Sequence, residues 1–397
     1  MIFPNTGKNL YSHEILAKGT KSTQSDRATA SSLFSQEVIR EDGRSVQLNK
    51  GHYCLDTDER LLEFSQKLAN GWEQDYAKYR SLWTSLPSTR TIREYPLLLD
   101  LELASVCNLK CPMCYTITDE FKSKVTKGFM DFDLVKRIID EVAGKIYALR
   151  LSFRGESLLH KDFIKCVEYA KTAGIQEVST LTNGAKLNGD FALSVIKAGV
   201  DWITISIDGV DEVYEDIRKP ITFEKIVDNL RFISDYKLHH GLVKPLIKVQ
   251  GIWPAVRQNP EKYYDIFSSL ADLVAFNPLI DYLRKDTEII YVDNFSCPQL
   301  YQRLVIGSDG KVMMCSNDED GKIIVGDANS QTIYDIWHSE VLNNYRAIHA
   351  SCDGYKKLPH CKECYYPRKA EVNETATING RVIGISNYIN RSQDVGS

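Results

Sequence analysis

The chain has 397 residues, 43% of them hydrophobic and 26% charged, which is the composition of a globular protein long enough for two or three domains. A net charge of −4 predicts no nucleic-acid partner. No apolar run approaches the length needed to span a bilayer, so we expect no membrane partner either. The first residues lack the charged-then-apolar pattern of a secretory signal. We therefore expect a cytoplasmic protein. In that compartment, ten cysteines favour metal or redox chemistry over disulfides.

The first 95 residues divide into two segments by composition. Residues 1–40 are polar and rich in Ser, Thr and Lys, so we expect a flexible segment without a packed core. Residues 41–95 are predicted to form a hairpin and helical extension. The sequence alternates around Asp42-Gly43 and then carries apolar residues at helical spacing over 56–86. We interpret the aromatic residues of that stretch as a packing face rather than a ligand site: Trp72, Tyr76, Tyr79 and Trp83.

Between residues 96 and 285 a strand-then-helix unit recurs. The six apolar strands read LLLDLELA, YALRLSF, QEVSTLT, DWITISI, LIKVQGI and DLVAFNP. The amphipathic segments between them are predicted to begin near Asp131, Lys161, Asn188, Thr222 and Asn259. This alternation predicts an α/β fold with a mostly parallel sheet. A complete eight-fold barrel would need more repeats than this segment contains.

Residues 286–370 are predicted to form a small C-terminal domain made of a hairpin, a helix and a cysteine pair. The hairpin turns at Ser308-Asp309-Gly310, and the helix runs over 332–349. The pair Cys361 and Cys364 closes the domain. Residues 371–397 are predicted to be a polar C-terminal tail.

Three cysteines follow the first of the six strands, in the sequence CNLKCPMC: Cys107, Cys111 and Cys114. A [4Fe–4S] cluster is normally held by four thiolates, so three thiolates bind three irons and leave the fourth open for chemistry. A zinc site would need a fourth Cys or His, and this segment supplies none. A disulfide framework is typical of small secreted domains. The pattern therefore favours a cluster with one open iron.

The spacing Cys-x3-Cys-x2-Cys, followed by the aromatic Tyr115, resembles the cluster loop of the radical S-adenosylmethionine (radical SAM) enzymes. The resemblance implies a partial (βα)6 barrel in which this loop follows the first strand, at the carboxyl mouth of the barrel. It implies that the open iron binds S-adenosylmethionine (AdoMet). One electron from the cluster then splits AdoMet into methionine and a 5′-deoxyadenosyl radical, which removes a hydrogen atom from the substrate.

The same resemblance assigns AdoMet contacts to the ends of successive strands. Gly155 and Glu156 match a Gly-Gly-Glu-Pro motif that receives the AdoMet ammonium, and Arg154 and Ser157 depart from it. A carboxylate suits a cationic amine. Arg218 matches an arginine that binds the methionine carboxylate, a role for a planar bidentate donor. The remaining expected contacts are Tyr115, Thr182, Asn183, Ser206 and Asp208.

A second cysteine set lies in the C-terminal domain, at Cys297, Cys315, Cys361 and Cys364. The set resembles the SPASM extension of radical SAM enzymes and its shortened twitch form, which implies a fully ligated auxiliary [4Fe–4S] cluster. A zinc ribbon also uses four thiolates and remains an alternative. Cys352 is an alternative ligand to Cys297. No cysteine follows Cys364, so we expect one auxiliary cluster rather than two.

A fully ligated cluster has no iron free for AdoMet, so we interpret its role as electron transfer or substrate orientation. The resemblance then implies a radical SAM oxidoreductase or epimerase acting on a small polar, sugar- or cyclitol-like substrate, with flavodoxin or ferredoxin as electron donor. Two other classes stay open: a maturase of ribosomally made peptides, and a non-catalytic iron–sulfur electron-transfer protein. Candidate substrate contacts, equally consistent with solvated loop charge, are Lys248, Gln250, Trp253, Arg257, Asp281 and Arg284. No general base is assigned.

Overall fold

The computed structural model describes residues 37–40, 45–47, 53–279, 288–391 and 395. Most of the polar segment predicted over residues 1–40, and the Asp42-Gly43 turn, therefore lie outside the described residues. None of the helices in the described part of the chain has both the length and the apolar character to span a membrane.

The N-terminal extension packs against the amino ends of the barrel strands. Its elements are β1 (Glu37–Ile39), β2 (Ser45–Gln47), β3 (Tyr53–Cys54), α1 (Asp58–Ala69) and α2 (Glu73–Thr89). The predicted aromatic packing face is confirmed, because Tyr79 and Trp83 of α2 are buried. Tyr79 stacks on Tyr147 with ring centroids 5.2 Å apart. Gln302 Nε2 donates to the carbonyl oxygen of Trp83 at 2.7 Å, which fastens α2 to the sheet.

Six strands with intervening helices form the central part of the chain. The strands are β4 (Leu98–Leu101), β5 (Ala148–Arg150), β6 (Glu177–Thr182), β7 (Trp202–Ser206), β8 (Leu246–Ile252) and β9 (Leu273–Asn277). The helices are α3 (Asp119–Lys124), α4 (Phe132–Val142), α5 (Phe163–Thr172), α6 (Gly189–Ala198), α7 (Asp211–Ile217), α8 (Phe223–His239), α9 (Trp253–Val256) and α10 (Pro260–Ser268). Helix α8 begins at the predicted Thr222, whose Oγ1 accepts a hydrogen bond from Lys225 N.

The C-terminal domain adds three strands and four short helices. They are β10 (Arg303–Ile306), β11 (Lys311–Met313), β12 (Ile324–Asp327), α11 (Gln299–Gln302), α12 (Ile333–Trp337), α13 (Glu340–Ala350) and α14 (Pro359–Glu363). The single helix predicted over 332–349 is wrong, because the chain breaks it into α12 and α13. Ser339 Oγ accepts Leu342 N at 3.2 Å and caps α13, so the break is set by local hydrogen bonding.

Strands β3 to β12 form one ten-stranded sheet in the order β12-β11-β10-β4-β5-β6-β7-β8-β9-β3, and β1 and β2 pair separately. Strands β4 to β9 are parallel neighbours in chain order. Strand β10 of the C-terminal domain continues the sheet, since it pairs in parallel with β4. The predicted α/β fold, a partial (βα)6 barrel with a small hairpin-plus-helix domain, is thus confirmed.

The two faces of the sheet differ in polarity. Residues paired across parallel strands share a face, and one such row contains Leu149 beside Val178. That apolar face packs under the helices. The opposite face is polar, because Thr204 pairs with Lys248 and Ser206 pairs with Gln250. This polar row lines the interior of the partial barrel and leads to the carboxyl ends of the strands, where such folds place their chemistry.

A C-terminal hairpin lies within the segment predicted as a polar tail. Strands β13 (Ala370–Ile378) and β14 (Arg381–Tyr388) pair antiparallel. They join at Asn379-Gly380, both with positive φ, a two-residue hairpin signal that the sequence does carry. Glu374 of β13 accepts a hydrogen bond from Trp253 Nε1 at 2.9 Å, which attaches the hairpin to the barrel.

Candidate active site

The three clustered thiols lie in the loop after β4, at the carboxyl end of the parallel sheet. Cys107 is exposed, Cys111 is buried and Cys114 is half-buried. Burial raises the pKa of Cys107 and raises that of Cys111 to about 11, and the Arg218 guanidinium opposes both shifts. The charge of Arg218 therefore favours the thiolate forms of Cys107 and Cys111.

Gly155 holds the loop after β5 against the thiol loop. A Cβ at Gly155 would lie 2.4 Å from the carbonyl oxygen of Ala104 and 2.5 Å from that of Val106. The next residue continues the contact, because Glu156 N donates to the Val106 carbonyl oxygen at 2.9 Å. Only glycine permits this approach of two backbones.

Glu156 organises the ends of β5 and β6. Its side chain is 3% exposed and accepts hydrogen bonds from Thr182 Oγ1 at 2.6 Å and from Asn183 N at 2.7 Å. Burial raises the pKa of Glu156, and these hydrogen bonds oppose the shift. Asn183 Nδ2 in turn donates to Asn108 Oδ1, inside the thiol loop, at 2.8 Å. Three predicted AdoMet contacts therefore meet beside the three thiols, with carboxylate, hydroxyl and amide groups suited to an amino acid ligand.

The fourth barrel strand supplies a buried ion pair to the same place. Arg218 Nη2 lies 2.5 Å and Arg218 Nε 2.7 Å from Asp208 Oδ2. Asp208 is 1% exposed and Ser206, the last residue of β7, is half-buried. Because Asp208 holds the guanidinium, Arg218 keeps a fixed orientation toward the thiol loop.

Tyr115 lies apart from that group. Its ring packs edge-on against Phe121 at 5.6 Å between centroids. Burial raises the pKa of Tyr115, and the charges of Asp320 and Glu319 raise it further while Arg154 opposes them. Tyr115 therefore lies near the charged residues Glu319 and Asp320 of the C-terminal domain.

Arg154, which departs from the expected motif, joins the two thiol regions. Its Nε and Nη2 contact both carboxylate oxygens of Glu102, at 2.6 and 2.5 Å. Its Nη1 donates to the carbonyl oxygen of Glu319, four residues after Cys315, at 2.9 Å. Sequence reasoning missed this role. The available signal was Glu102, one of two acidic residues inside the apolar strand LLLDLELA, since a buried carboxylate needs a partner.

The four C-terminal thiols converge beyond β11. Burial raises the pKa of Cys297 to about 12, and the charge of Cys364 raises it further. Burial also raises the pKa of Cys315 and of Cys361, and the charges of Cys297 and Cys364 raise both pKa values further. Cys352, by contrast, is exposed. The arrangement brings together the four cysteines of the predicted auxiliary site.

The four C-terminal sulfurs do not form the compact group that ligands of a single bound zinc ion would form. Sulfur ligands of one zinc ion, at about 2.3 Å from the metal, lie about 3.8 Å from one another. Among the described residues, the one group of His, Cys, Asp and Glu ligand atoms lying within 4.8 Å of one another is Asp318, Asp320 and His360. No three of the four sulfurs lie within 4.8 Å of one another. Asp320 is already paired with Lys124 and Lys322, at 3.4 and 3.3 Å.

Two side-chain nitrogens approach the C-terminal thiols, and sequence reasoning missed both. His349 Nε2 lies 3.4 Å from Cys361 Sγ, and Asn317 Nδ2 lies 3.5 Å from Cys364 Sγ. Neither residue stands in a recognisable motif, because His349 comes from α13 and is twelve positions from its cysteine. Only the folded domain brings them to the thiols.

The candidate substrate contacts have mixed positions. Lys248 and Gln250 lie on the polar face of β8, where Lys248 Nζ donates to Gln250 Oε1 at 2.6 Å. Trp253 is buried, and its indole nitrogen donates to Glu374 of the C-terminal hairpin, whereas Arg257 is half-buried. Asp281 and Arg284 lie outside the described residues.

Comparison with known families and proteins agrees with this geometry. Residues 101–248 match the model of the radical SAM superfamily, and residues 297–365 match that of an iron–sulfur cluster-binding domain, SPASM. An S-adenosylmethionine-dependent nucleotide dehydratase of Lacinutrix mariniflava is 33% identical over 115 residues, which are 29% of this chain. The match spans only 24% of that relative's length.

Two solved structures share the fold at low sequence identity. Native anSMEcpe with bound AdoMet has a TM-score of 0.53 at 17% identity, covering 69% of this chain and 89% of that one. SuiB of Streptococcus suis bound to S-adenosylmethionine has a TM-score of 0.53 at 12% identity, covering 78% of each chain. At these identities the likeness shows the fold alone.

Proposed function

Because the chain belongs to the radical SAM superfamily and carries a SPASM iron–sulfur domain, we propose that it oxidises a small polar, sugar- or cyclitol-like substrate by two electrons. Its cofactors are an AdoMet-binding [4Fe–4S] cluster, an auxiliary [4Fe–4S] cluster and AdoMet. AdoMet, reduced by one electron, supplies a 5′-deoxyadenosyl radical. Removal of a substrate hydrogen atom, followed by loss of one proton and one electron, converts an alcohol carbon into a carbonyl.

The observation that carries the proposal is the set of four thiols in the C-terminal domain, of which Cys315 and Cys361 are buried and Cys297 and Cys364 are half-buried. Four thiolates leave no iron of a cube open to AdoMet or substrate. The group that they would hold therefore supplies a one-electron acceptor, which a two-electron oxidation needs and a redox-neutral epimerisation does not. Strand β10 leads from this domain directly into the barrel, beside β4. The acceptor thus belongs to the same rigid sheet as the cluster loop.

The polar interior of the barrel supports a small hydrophilic substrate. Arg150 Nε lies 2.8 Å from Asp100 Oδ1, and Arg303 Nη1 lies 3.3 Å from Asp100 Oδ2, so charged groups are present on the interior face. Lys248 and Gln250 stand on the same face, nearer the carboxyl mouth. Hydroxyl groups of a sugar or cyclitol can exchange their water hydrogen bonds for such partners.

The peptide-maturase alternative receives less support from the N-terminal extension. In the part of the chain that the structure describes, this extension has two helices before β4, and α2 buries its aromatic face against the barrel. A leader-binding module built on a three-helix wing would need a further helix and a free surface. The extension is therefore best interpreted as part of the barrel's support.

An acidic flavodoxin or ferredoxin is the proposed electron donor. A cavity of about 380 Å³ opens beside the cluster loop, and Cys107 forms part of its wall. Three exposed lysines, Lys110, Lys122 and Lys127, also line it. Their positive charge favours an acidic partner at the place where an electron must enter.

The test uses the anaerobically reconstituted full chain with AdoMet, a reduced donor and candidate sugars or cyclitols, some deuterated at carbon. We expect deuterium from the labelled carbon in 5′-deoxyadenosine. In about equal amount, we expect a product two mass units lighter than an unlabelled substrate and three mass units lighter than one deuterated at the reacting carbon. Cys361→Ala should keep part of the AdoMet cleavage and lose the oxidised product, whereas Cys352→Ala should keep both. An epimerase would instead give, from unlabelled substrate, a product of the substrate's mass in H2O and one mass unit heavier in D2O. Turnover only with a peptide would sink the small-substrate proposal.

A further inference from the structure

We propose that His349 and Asn317 are positioning residues that donate N–H hydrogen bonds to the thiolates of Cys361 and Cys364, and so raise the reduction potential of the auxiliary cluster. The proposal deepens the proposed function, because it rests on that cluster's role as electron acceptor. Both nitrogen–sulfur contacts lie within the C-terminal domain.

His349 faces Cys361 from inside the domain. Its side chain is 3% exposed, and Nε2 lies 3.4 Å from Cys361 Sγ, within hydrogen-bonding distance for sulfur. A thiolate only accepts hydrogen bonds, so the imidazole must present its N–H at this position. His349 therefore acts as a donor to a cluster ligand, without being needed as a ligand itself.

Arg346 fixes the orientation of the helix that carries His349. Arg346 Nε donates to the carbonyl oxygen of Leu300 at 3.0 Å, and Nη1 donates to that of Trp337 at 2.7 Å. Leu300 lies three residues after Cys297, so this contact ties α13 to the segment that carries another thiol. Residues three apart share a helix face, and His349 therefore points to the same side as Arg346.

Asn317 is oriented by a buried glutamine. Gln299 Nε2 donates to Asn317 Oδ1 at 3.2 Å, which turns the Asn317 amide nitrogen toward Cys364 Sγ, 3.5 Å away. Gln299 Oε1 is held in turn by Ser316 N and Ser316 Oγ, at 2.8 and 2.9 Å. Gln299 is 2% exposed, so its amide has little freedom to rotate.

The direction of the effect follows from charge. Reduction adds one electron to the cluster and increases the negative charge on its sulfurs, and N–H donors stabilise the more negative state. The low dielectric around buried groups strengthens such hydrogen bonds. Both donors consequently make the auxiliary cluster a better acceptor for an electron from the substrate.

The experiment is an anaerobic redox titration of the reconstituted full chain, followed by EPR, without substrate. AdoMet changes the spectrum of the AdoMet-binding cluster only, which separates the two signals. We expect His349→Leu to disfavour reduction of the auxiliary cluster at least tenfold, a shift of about 59 mV to more negative potential. Asn317→Leu should shift it in the same direction, and His349→Gln, which keeps an amide N–H, should restore most of the difference.

Two controls accompany the titration: the iron content of each variant, which shows whether the clusters are retained, and the substitution of a histidine far from the C-terminal thiols. His240→Leu removes an exposed imidazole on α8 and should leave both potentials unchanged. Unchanged auxiliary potentials in His349→Leu and Asn317→Leu, with iron retained, would overturn the proposal. Loss of iron in these two variants and in His349→Gln alike would show a structural role instead, and would also overturn it. Since no substrate is used, these outcomes are independent of whether the enzyme oxidises a sugar.

Discussion

Arg154 and Glu102 form a buried, bidentate ion pair that connects the loop after β5 to the strand before the cluster cysteines. The side chains are 6% and 0% exposed, and two guanidinium nitrogens lie 2.5 and 2.6 Å from the carboxylate oxygens. Glu102 Oε2 also accepts Ser308 N at 3.0 Å, in the hairpin of the C-terminal domain. One ion pair therefore positions the AdoMet motif, the cluster loop and the auxiliary domain relative to one another.

Breaking this pair should destabilise the protein strongly. Removing one partner of a buried ion pair costs about 3–5 kcal/mol, since it leaves the other charge uncompensated. We expect Arg154→Met and Glu102→Gln each to lower the stability measured by anaerobic chemical denaturation, and the double variant to lose less than the sum. The exposed pair Lys219 and Asp216 is the matched control, where Lys219→Met should have little effect. If the losses in free energy of unfolding from Arg154→Met and Glu102→Gln simply added in the double variant, the two side chains would not interact directly.

Gly155→Ala should disrupt the cluster loop. The added methyl would overlap backbone oxygens of Ala104 and Val106, neither of which can move as a flexible side chain does. We expect iron per chain to fall from about eight atoms to about four, because only the AdoMet-binding cluster is lost. Gly128→Ala is the control, as a Cβ there meets nothing within 4 Å. Full iron content and normal AdoMet cleavage in Gly155→Ala would contradict the close approach.

Iron content also distinguishes the two cysteines considered as the first auxiliary ligand. Cys297 interacts with the other three thiols of its set, whereas Cys352 is exposed after α13. Cys297→Ala should reduce iron from about eight atoms per chain to about four, and Cys352→Ala should keep all of it. The reverse pattern would assign the ligand to Cys352.

Glu177 should make stability depend on pH. Burial at the start of β6 raises its pKa to about 7, with Arg80 opposing the shift. A carboxyl with a raised pKa binds its proton more tightly in the folded chain. Proton binding by Glu177 therefore contributes fully to the free energy of unfolding below the ordinary pKa of 4.5. This contribution is lost as pH rises through about 7. The loss amounts to about 3 kcal/mol at most.

Glu177→Gln tests that dependence. We expect its thermal unfolding midpoint to exceed that of the wild type increasingly as pH rises from 5 to 8. Glu168→Gln, at an exposed position of α5, should follow the wild-type curve. Parallel curves for Glu177→Gln and wild type would show that Glu177 is not the titrating group.

The sequence alone determined the features that are encoded locally. Apolar strands alternating with amphipathic segments specified the parallel α/β core, and polar caps such as Thr222 specified where helices begin. Cysteine spacing specified the first thiol set, because metal ligands within a loop are constrained by the chain between them. In the second set, which spans residues 297–364, it left Cys297 and Cys352 as alternative ligands. The Asn379-Gly380 hairpin was equally local, although its signal was overlooked.

The tertiary structure alone decided which distant side chains meet. Arg154 and Glu102 are 52 positions apart, and no pattern along the chain relates them. The contact of His349 with Cys361 depends on the angle at which α13 packs on the Cys297 segment. Periodicity reports which face of an element is buried, but it carries no information on what that face touches. Burial and hydrogen bonding between separate elements fix those partners only once the chain has folded.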